Sequence, residues 1–241
     1  MSSKVLDSSP SQVRRFDVLT MSHPDSSRLM LHAVLSFEDG TRNDVTNVTR
    51  LKSYHMGPPL GITDKLTFDA VGTCDLSEQQ NAQINEFVER QKQDRKAERK
   101  RRQKLGVKWD AREQYRIQPP FTRPNKNFPM WRYSCVGFVL LAYRNAKIEL
   151  IDSPNSPLKT LDQIKQLYPE QQTRELDDPN TRQKVGLGNG DRWPVVLAGY
   201  LLHSLARPTA EVNGETSTPY TASDGDEFFP HASGNRTPEP L

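Results

Sequence analysis

The sequence predicts an α+β fold, an antiparallel β-sheet packed against helices, with the strands ahead of most of the helices. Three observations predict it. Arg28 to Phe37 alternates at period two, which is the spacing of a strand. Ser77 and Gln80 stand three residues apart just before a helical run, the arrangement of a capping box. Cys135 to Ala146 is apolar on nearly every side, as a helix buried all round must be.

The elements follow in order. Residues 1–14 are Ser-rich and unpatterned and read as a frayed tail. In Arg28–Phe37, Leu29, Leu31, Ala33, Leu35 and Phe37 take one face and Met30, His32, Val34 and Ser36 the other. An apolar load on both faces suggests an inner strand. Glu38-Asp39-Gly40 signals a turn, and Asp44–Leu51 can form the partner of a hairpin. Leu66, Phe68 and Ala70 share a face in Lys65–Val71, a third strand. From Ser77, Ile84, Phe87 and Val88 give the helix a short apolar stripe, after which it runs on as charge and should project into water. Cys135–Ala146, Leu161–Tyr168 and Pro194–Ala206 are the later helices, Pro194 suiting a first helical position. The segment 208–241 is rich in Pro, Thr, Ser, Gly and acid and is expected to be disordered. One domain over 15–207 remains.

Composition agrees. A hydrophobic fraction of 34% with 18 prolines in 241 residues fits a core carrying unstructured ends. Two cysteines, Cys74 and Cys135, do not make a disulfide framework, and no Cys/His grouping has zinc spacing. No cofactor or metal is expected. The first residues contain no signal-like apolar run, and Val136–Ala142, the longest apolar stretch, is far shorter than a membrane span. A cytoplasmic location with no transmembrane segment is expected.

The segment able to carry chemistry is Arg132-Tyr-Ser-Cys-Val-Gly-Phe. Ser134 can cap the helix, which places Cys135 in its first turn. Backbone N–H groups and the dipole there favour an anion and would lower a thiol pKa. The N–H of Cys135 could help hold an oxyanion. Gly137 leaves room for another backbone or a substrate. The plainer reading is that a Cys beside an apolar helix is packing.

Ser134, Cys135, Val136, Gly137 and Phe138, followed by Tyr143, Arg144, Ala146 and Ile148, resemble the nucleophile helix of NlpC-like cysteine peptidases of the papain superfamily. Ser134, Val136 and Lys147 depart from the family's Asp, Ser and Gly. His32 precedes the Cys helix, an order that resembles the circularly permuted branch. Asp75-Leu-Ser-Glu-Gln-Gln and Gly106-Val-Lys-Trp-Asp resemble the segments between the two in that branch. The resemblance covers about residues 28–150 and implies a papain-like fold. It further implies a thiol hydrolase that cleaves an amide, isopeptide or ester bond of a peptide-like or acyl substrate through a thioester. His32 would take the Cys135 proton, and Asp44 or Thr46 would orient the imidazole. His203 is the alternative base, although a helix C-terminal cation is the simpler reading. His23 and His55 read as loop residues, His231 falls in the tail, and Cys74 reads as structural.

Arg90–Lys104 holds nine Lys or Arg in fifteen residues. Arg95, Lys96, Arg99, Lys100, Arg101 and Arg102 form a basic patch for an acidic partner or nucleic acid, or else a solvated face. It lacks the interleaved aromatics of single-strand binders. Trp109, Tyr115, Phe121 and Trp131 read as core cover. Gly186-Leu-Gly-Asn-Gly190 lacks the Lys-Ser/Thr of a phosphate loop and reads as a turn. Two alternatives to the hydrolase therefore stand: a catalytically inactive papain-like interaction module, and a nucleic-acid-associated protein using 90–104.

Overall fold

In a computed structural model, the structure describes residues 5–6, 13–23, 26–37, 53–55, 61–63, 68, 70–108, 111–126, 128–167 and 175–229. The architecture is mixed α+β. Six strands form one sheet: β1 (Val5–Leu6), β2 (Val18–His23), β3 (Ser26–Ser36), β4 (Ser53–His55), β5 (Gly61–Thr63) and β6 (Ala70–Gly72). Their order is β1-β6-β2-β3-β4-β5, all neighbours antiparallel. Thus β3 is an inner strand, as its two-sided apolar load predicts. Two two-stranded sheets stand apart from this sheet. One is a hairpin of β7 (Phe121–Thr122) with β8 (Arg132–Tyr133), and the other pairs β9 (Leu158–Thr160) with the distant β10 (Arg192–Pro194).

The helices are α1 (Glu78–Lys104), α2 (Cys135–Asn145), α3 (Leu161–Leu167), α4 (Pro179–Val185), α5 (Ala198–Leu205) and α6 (Thr209–Asn213). Both α2 and α5 pack on β3, and α1 packs on α2. Val18, Ala33, Leu35 and Tyr54 of the sheet join these helices in the main core. Val13, Leu19, Val34 and Val71 form a smaller cluster on the opposite face. Every residue from Cys135 to Tyr143 is buried. At about 1.5–3 kcal/mol for each large apolar side chain, that burial rather than helix propensity holds α2.

The capping box of α1 is present in full: Gln80 N donates to Ser77 Oγ at 3.2 Å and Ser77 N to Gln80 Oε1 at 2.9 Å. Beyond the apolar stripe, α1 does not project freely. Gln91, Glu98 and Arg102 continue its buried side. Glu98 accepts from Arg101 Nε and from Arg102 Nε, and Arg102 Nη2 reaches Glu113 Oε2 at 2.7 Å. Hydrogen bonds from the two arginines hold the Glu98 carboxyl below the usual carboxylate range. A paired, hydrogen-bonded charge can be buried where an unpaired one cannot, so this helix packs a polar side.

Other expectations need correction. Val5 and Leu6, inside the expected 1–14 tail, pair with β6. Pro194 ends β10 instead of opening a helix, and the helix begins four residues later, after Leu197. Proline, lacking an N–H, is tolerated at the end of a short edge strand. Residues 208–229, expected to be disordered, pack on the domain. Val212 and Ala222 are buried, Tyr220 bridges Ile151, and Glu227 O accepts from Met30 N at 3.2 Å. The expected partner strand Asp44–Leu51 lies outside the described residues, as do most of Lys65–Val71 and all of 230–241.

Candidate functional site

The residues nearest Cys135 in sequence behave as their types predict. Ser134 is the N-cap of α2: its Oγ accepts from Gly137 N at 3.0 Å and its carbonyl from Phe138 N at 2.9 Å. Ser134 N donates to Pro120 O at 3.0 Å, which lays the 118–120 segment across the first turn. A Cβ on Gly137 would stand 1.8 Å from that same oxygen. Gly137 therefore serves the close approach of a backbone, one of the two uses read from the sequence. Cys135 is 3% exposed and belongs to the main core with Phe138 and Val139.

His32 is on β3, opposite Met21. Successive residues of a strand point to opposite faces. Its neighbour Ala33 and then Leu35 belong to the core that contains α2, whereas Val34 belongs to the small cluster behind the sheet. His32, two residues from Val34, is therefore turned to the face away from Cys135's helix. A bulge between the Met21–His32 and Ser22–Met30 pairs returns Met30 to the α2 face, so Met30 does not share a face with His32 as the simple alternation predicts. The structure does not bring Cys135 and His32 together on one face of the sheet. Asp44 and Thr46 lie outside the described residues.

His203, the alternative base, is engaged elsewhere. Its Nε2 lies 3.0 Å from Phe228 O, and its ring stacks on Tyr220 at 6.2 Å. Cys74 is buried beside Asp75, and burial pushes its thiol up to about 12, which suits a structural residue. Phe121 and Trp131 pack against the core, and Tyr115 is in it; Trp109 is outside the described residues.

The basic patch divides in two. Arg101 and Arg102 are spent on Glu98, and Arg95 is half-buried. Lys96, Arg99, Lys100 and Lys104 are exposed. None of these four has an ion pair among the described residues. The sequence reading missed the Glu98–Arg102–Glu113 chain that fixes this end of α1. Glu98 and Arg102 stand at i,i+4 spacing, the local signal that identifies such a pair; Glu113 is a tertiary contact with no such signal.

Among the described residues, no cluster of three or more His, Cys, Asp or Glu is arranged to hold a metal, and no helix is long and apolar enough to cross a membrane. Comparison with family models, curated proteins and solved structures gave no match to any of them.

Proposed function

We propose that the chain is a binding module, built on a papain-like domain of permuted order with a silent thiol, that lays the outer face of α1 along the phosphate backbone of a nucleic-acid duplex. One observation carries this reading. Lys96, Arg99, Lys100 and Lys104 stand exposed, with no ion pair among the described residues, on a helix whose inner face is tied down by Glu98 and Arg102. Lysines at every fourth position rise about 6 Å apart along a helix axis, and one strand of a duplex carries a phosphate about every 3.4 Å. A fixed row loses less freedom on binding than a floppy arm would. Contacts of this kind are indifferent to base sequence.

The test is fluorescence anisotropy with a labelled duplex between 50 and 200 mM salt. If four phosphates are neutralised, log K should fall against log salt with a slope of about −3.6. Replacing Lys96, Lys100 and Lys104 together with Gln should reduce that slope by about 2–3. An unchanged slope in the triple variant overturns the proposal, and capture of an acidic peptide in preference to the duplex replaces the partner.

The rival reading, a thiol hydrolase with Cys135 as nucleophile, keeps one observation in its favour: Cys135 opens a Ser134-capped helix packed on the strand that carries His32. The binding-module reading predicts that a small electrophile labels Cys135 sluggishly near neutral pH, and that His32→Ala leaves the rate unaltered. Rapid labelling abolished by His32→Ala would restore the hydrolase.

A further inference from the structure

We propose that Arg116 and Arg132 form a binding site for a phosphate group. Arg116 N donates to Tyr133 O at 3.3 Å, so the two arginines issue from adjacent stretches of chain. Both guanidiniums then reach the C-terminal end of α4. Arg116 Nη1 donates to the Lys184 carbonyl at 3.2 Å, and Arg132 Nη2 donates to the same oxygen. Two cations therefore face each other across a single acceptor atom.

Their surroundings hold them there. Arg132 Nε donates to Glu113 O at 2.8 Å and Nη2 to Tyr115 O at 3.4 Å, with the Phe128 ring 5.4 Å from its guanidinium. Gly186, at φ 93°, admits the Gln118 carbonyl beside Arg116: a Cβ there would stand 1.5 Å from that oxygen and 3.0 Å from Arg116 Cζ. Carbonyls and a ring fix the pair, but neither guanidinium has a carboxylate partner among the described residues. Glu113, whose field reaches Arg132, has its own carboxylate on Arg102. Arg116 Nε is buried without a hydrogen-bond partner among the described residues.

Two like charges brought together half out of water repel, and each disfavours the other's charged form. The guanidinium of Arg132 is held below its usual range by burial and then by Arg116. An anion between the two would offset that repulsion and give Arg116 Nε an acceptor. A phosphate monoester carries close to two negative charges and three strong acceptor oxygens, enough to engage both forks. A carboxylate shares the oxyanion chemistry but neutralises only one cation. The site does not depend on the lysines of α1, so it stands or falls apart from the nucleic-acid reading.

The experiment follows the side-chain Nε–H resonances of the arginines by NMR while the full chain is titrated. The titrants are inorganic phosphate, acetate, and chloride at matched ionic strength. Phosphate should shift Arg116 Nε–H saturably, acetate should bind about tenfold more weakly, and chloride should give no saturable shift. The Lys96/Lys100/Lys104→Gln variant should bind phosphate as the parent does. Arg132 holds three carbonyls and its loss endangers the fold, so Arg116→Gln, which gives up a single carbonyl bond, is the deciding variant. It is read by the phosphate-induced rise in unfolding temperature, which it should abolish. Equal responses to phosphate and chloride overturn the site, as does an undiminished rise in Arg116→Gln. Equal affinity for acetate overturns the phosphate assignment.

Discussion

Gly137→Ala is expected to destabilise the domain by about 3 kcal/mol or more, a large part of the 5–15 kcal/mol typical of a folded domain. The added Cβ would meet Pro120 O at 1.8 Å and Pro120 C at 2.6 Å. Both are backbone atoms, so no side chain can swing aside to admit it. The Pro120 oxygen also accepts the Ser134 N–H, hence relief by moving the 118–120 segment breaks a contact at the cap of α2. The alternative, displacing α2, disturbs a helix buried at every residue from Cys135 to Tyr143. Gly188→Ala is the matched control, because a Cβ there meets nothing within 4 Å; it should change stability by no more than about 0.5 kcal/mol. Urea unfolding followed by far-UV circular dichroism measures both. A midpoint for Gly137→Ala equal to that of Gly188→Ala would show that the approach of Pro120 to α2 is not as close as described.

What was legible in the sequence was local. The Ser77–Gln80 box and the Ser134 cap each depend on a hydroxyl and an N–H three residues away, and both are found where the sequence places them. The alternation of Arg28–Phe37 located β3 within two residues. It could not say which face meets the helices, since both faces are apolar, nor that a bulge near Leu31 would move Met30 to the other side. That choice of face is what separates His32 from Cys135. In β2, Val18 and Thr20 face the main core and Leu19 the small cluster. Its six residues therefore carry no clear one-sided pattern to read. Arg116 and Arg132 are sixteen positions apart and converge through tertiary contacts, the Arg116 N–Tyr133 O bond and the end of α4. The packing of 208–229 was illegible for a related reason. Its composition is that of a disordered segment, and the few contacts that hold it are supplied from elsewhere in the chain.

Foremost among those contacts is Lys159, and Lys159→Ala is expected to cost about 2–4 kcal/mol and to loosen the whole stretch from Tyr220 to Phe229. Its side chain is 4% exposed, yet its Nζ lies 3.0 Å from Glu227 Oε1 and 3.1 Å from Asp224 Oδ1. Asp224 is largely in water and loses little when the pair is broken. Glu227 is 12% exposed, so removing the cation leaves a carboxylate mostly out of water, which is the larger penalty. The same residue carries the backbone oxygen that accepts Met30 N within β3. Its neighbour Asp226 accepts from Tyr220 Oη at 2.7 Å and from Ser223 N at 2.7 Å. One cation on β9 thus anchors a turn that also bonds to the backbone of Leu150, Asp152 and Met30. Lys159→Met separates the charge from the packing, since it keeps an unbranched stem in the same space. Hydrogen exchange at Met30 N–H should accelerate in both variants, with the Met variant recovering only the part due to packing. Limited proteolysis should cut both variants between Tyr220 and Phe229 sooner than the parent. If exchange at Met30 is unchanged in Lys159→Met, the charge is not what seats this segment, and its order comes instead from contacts such as the Tyr220 pairing with Leu150 and Asp152, the buried Val212 and Ala222, and His203.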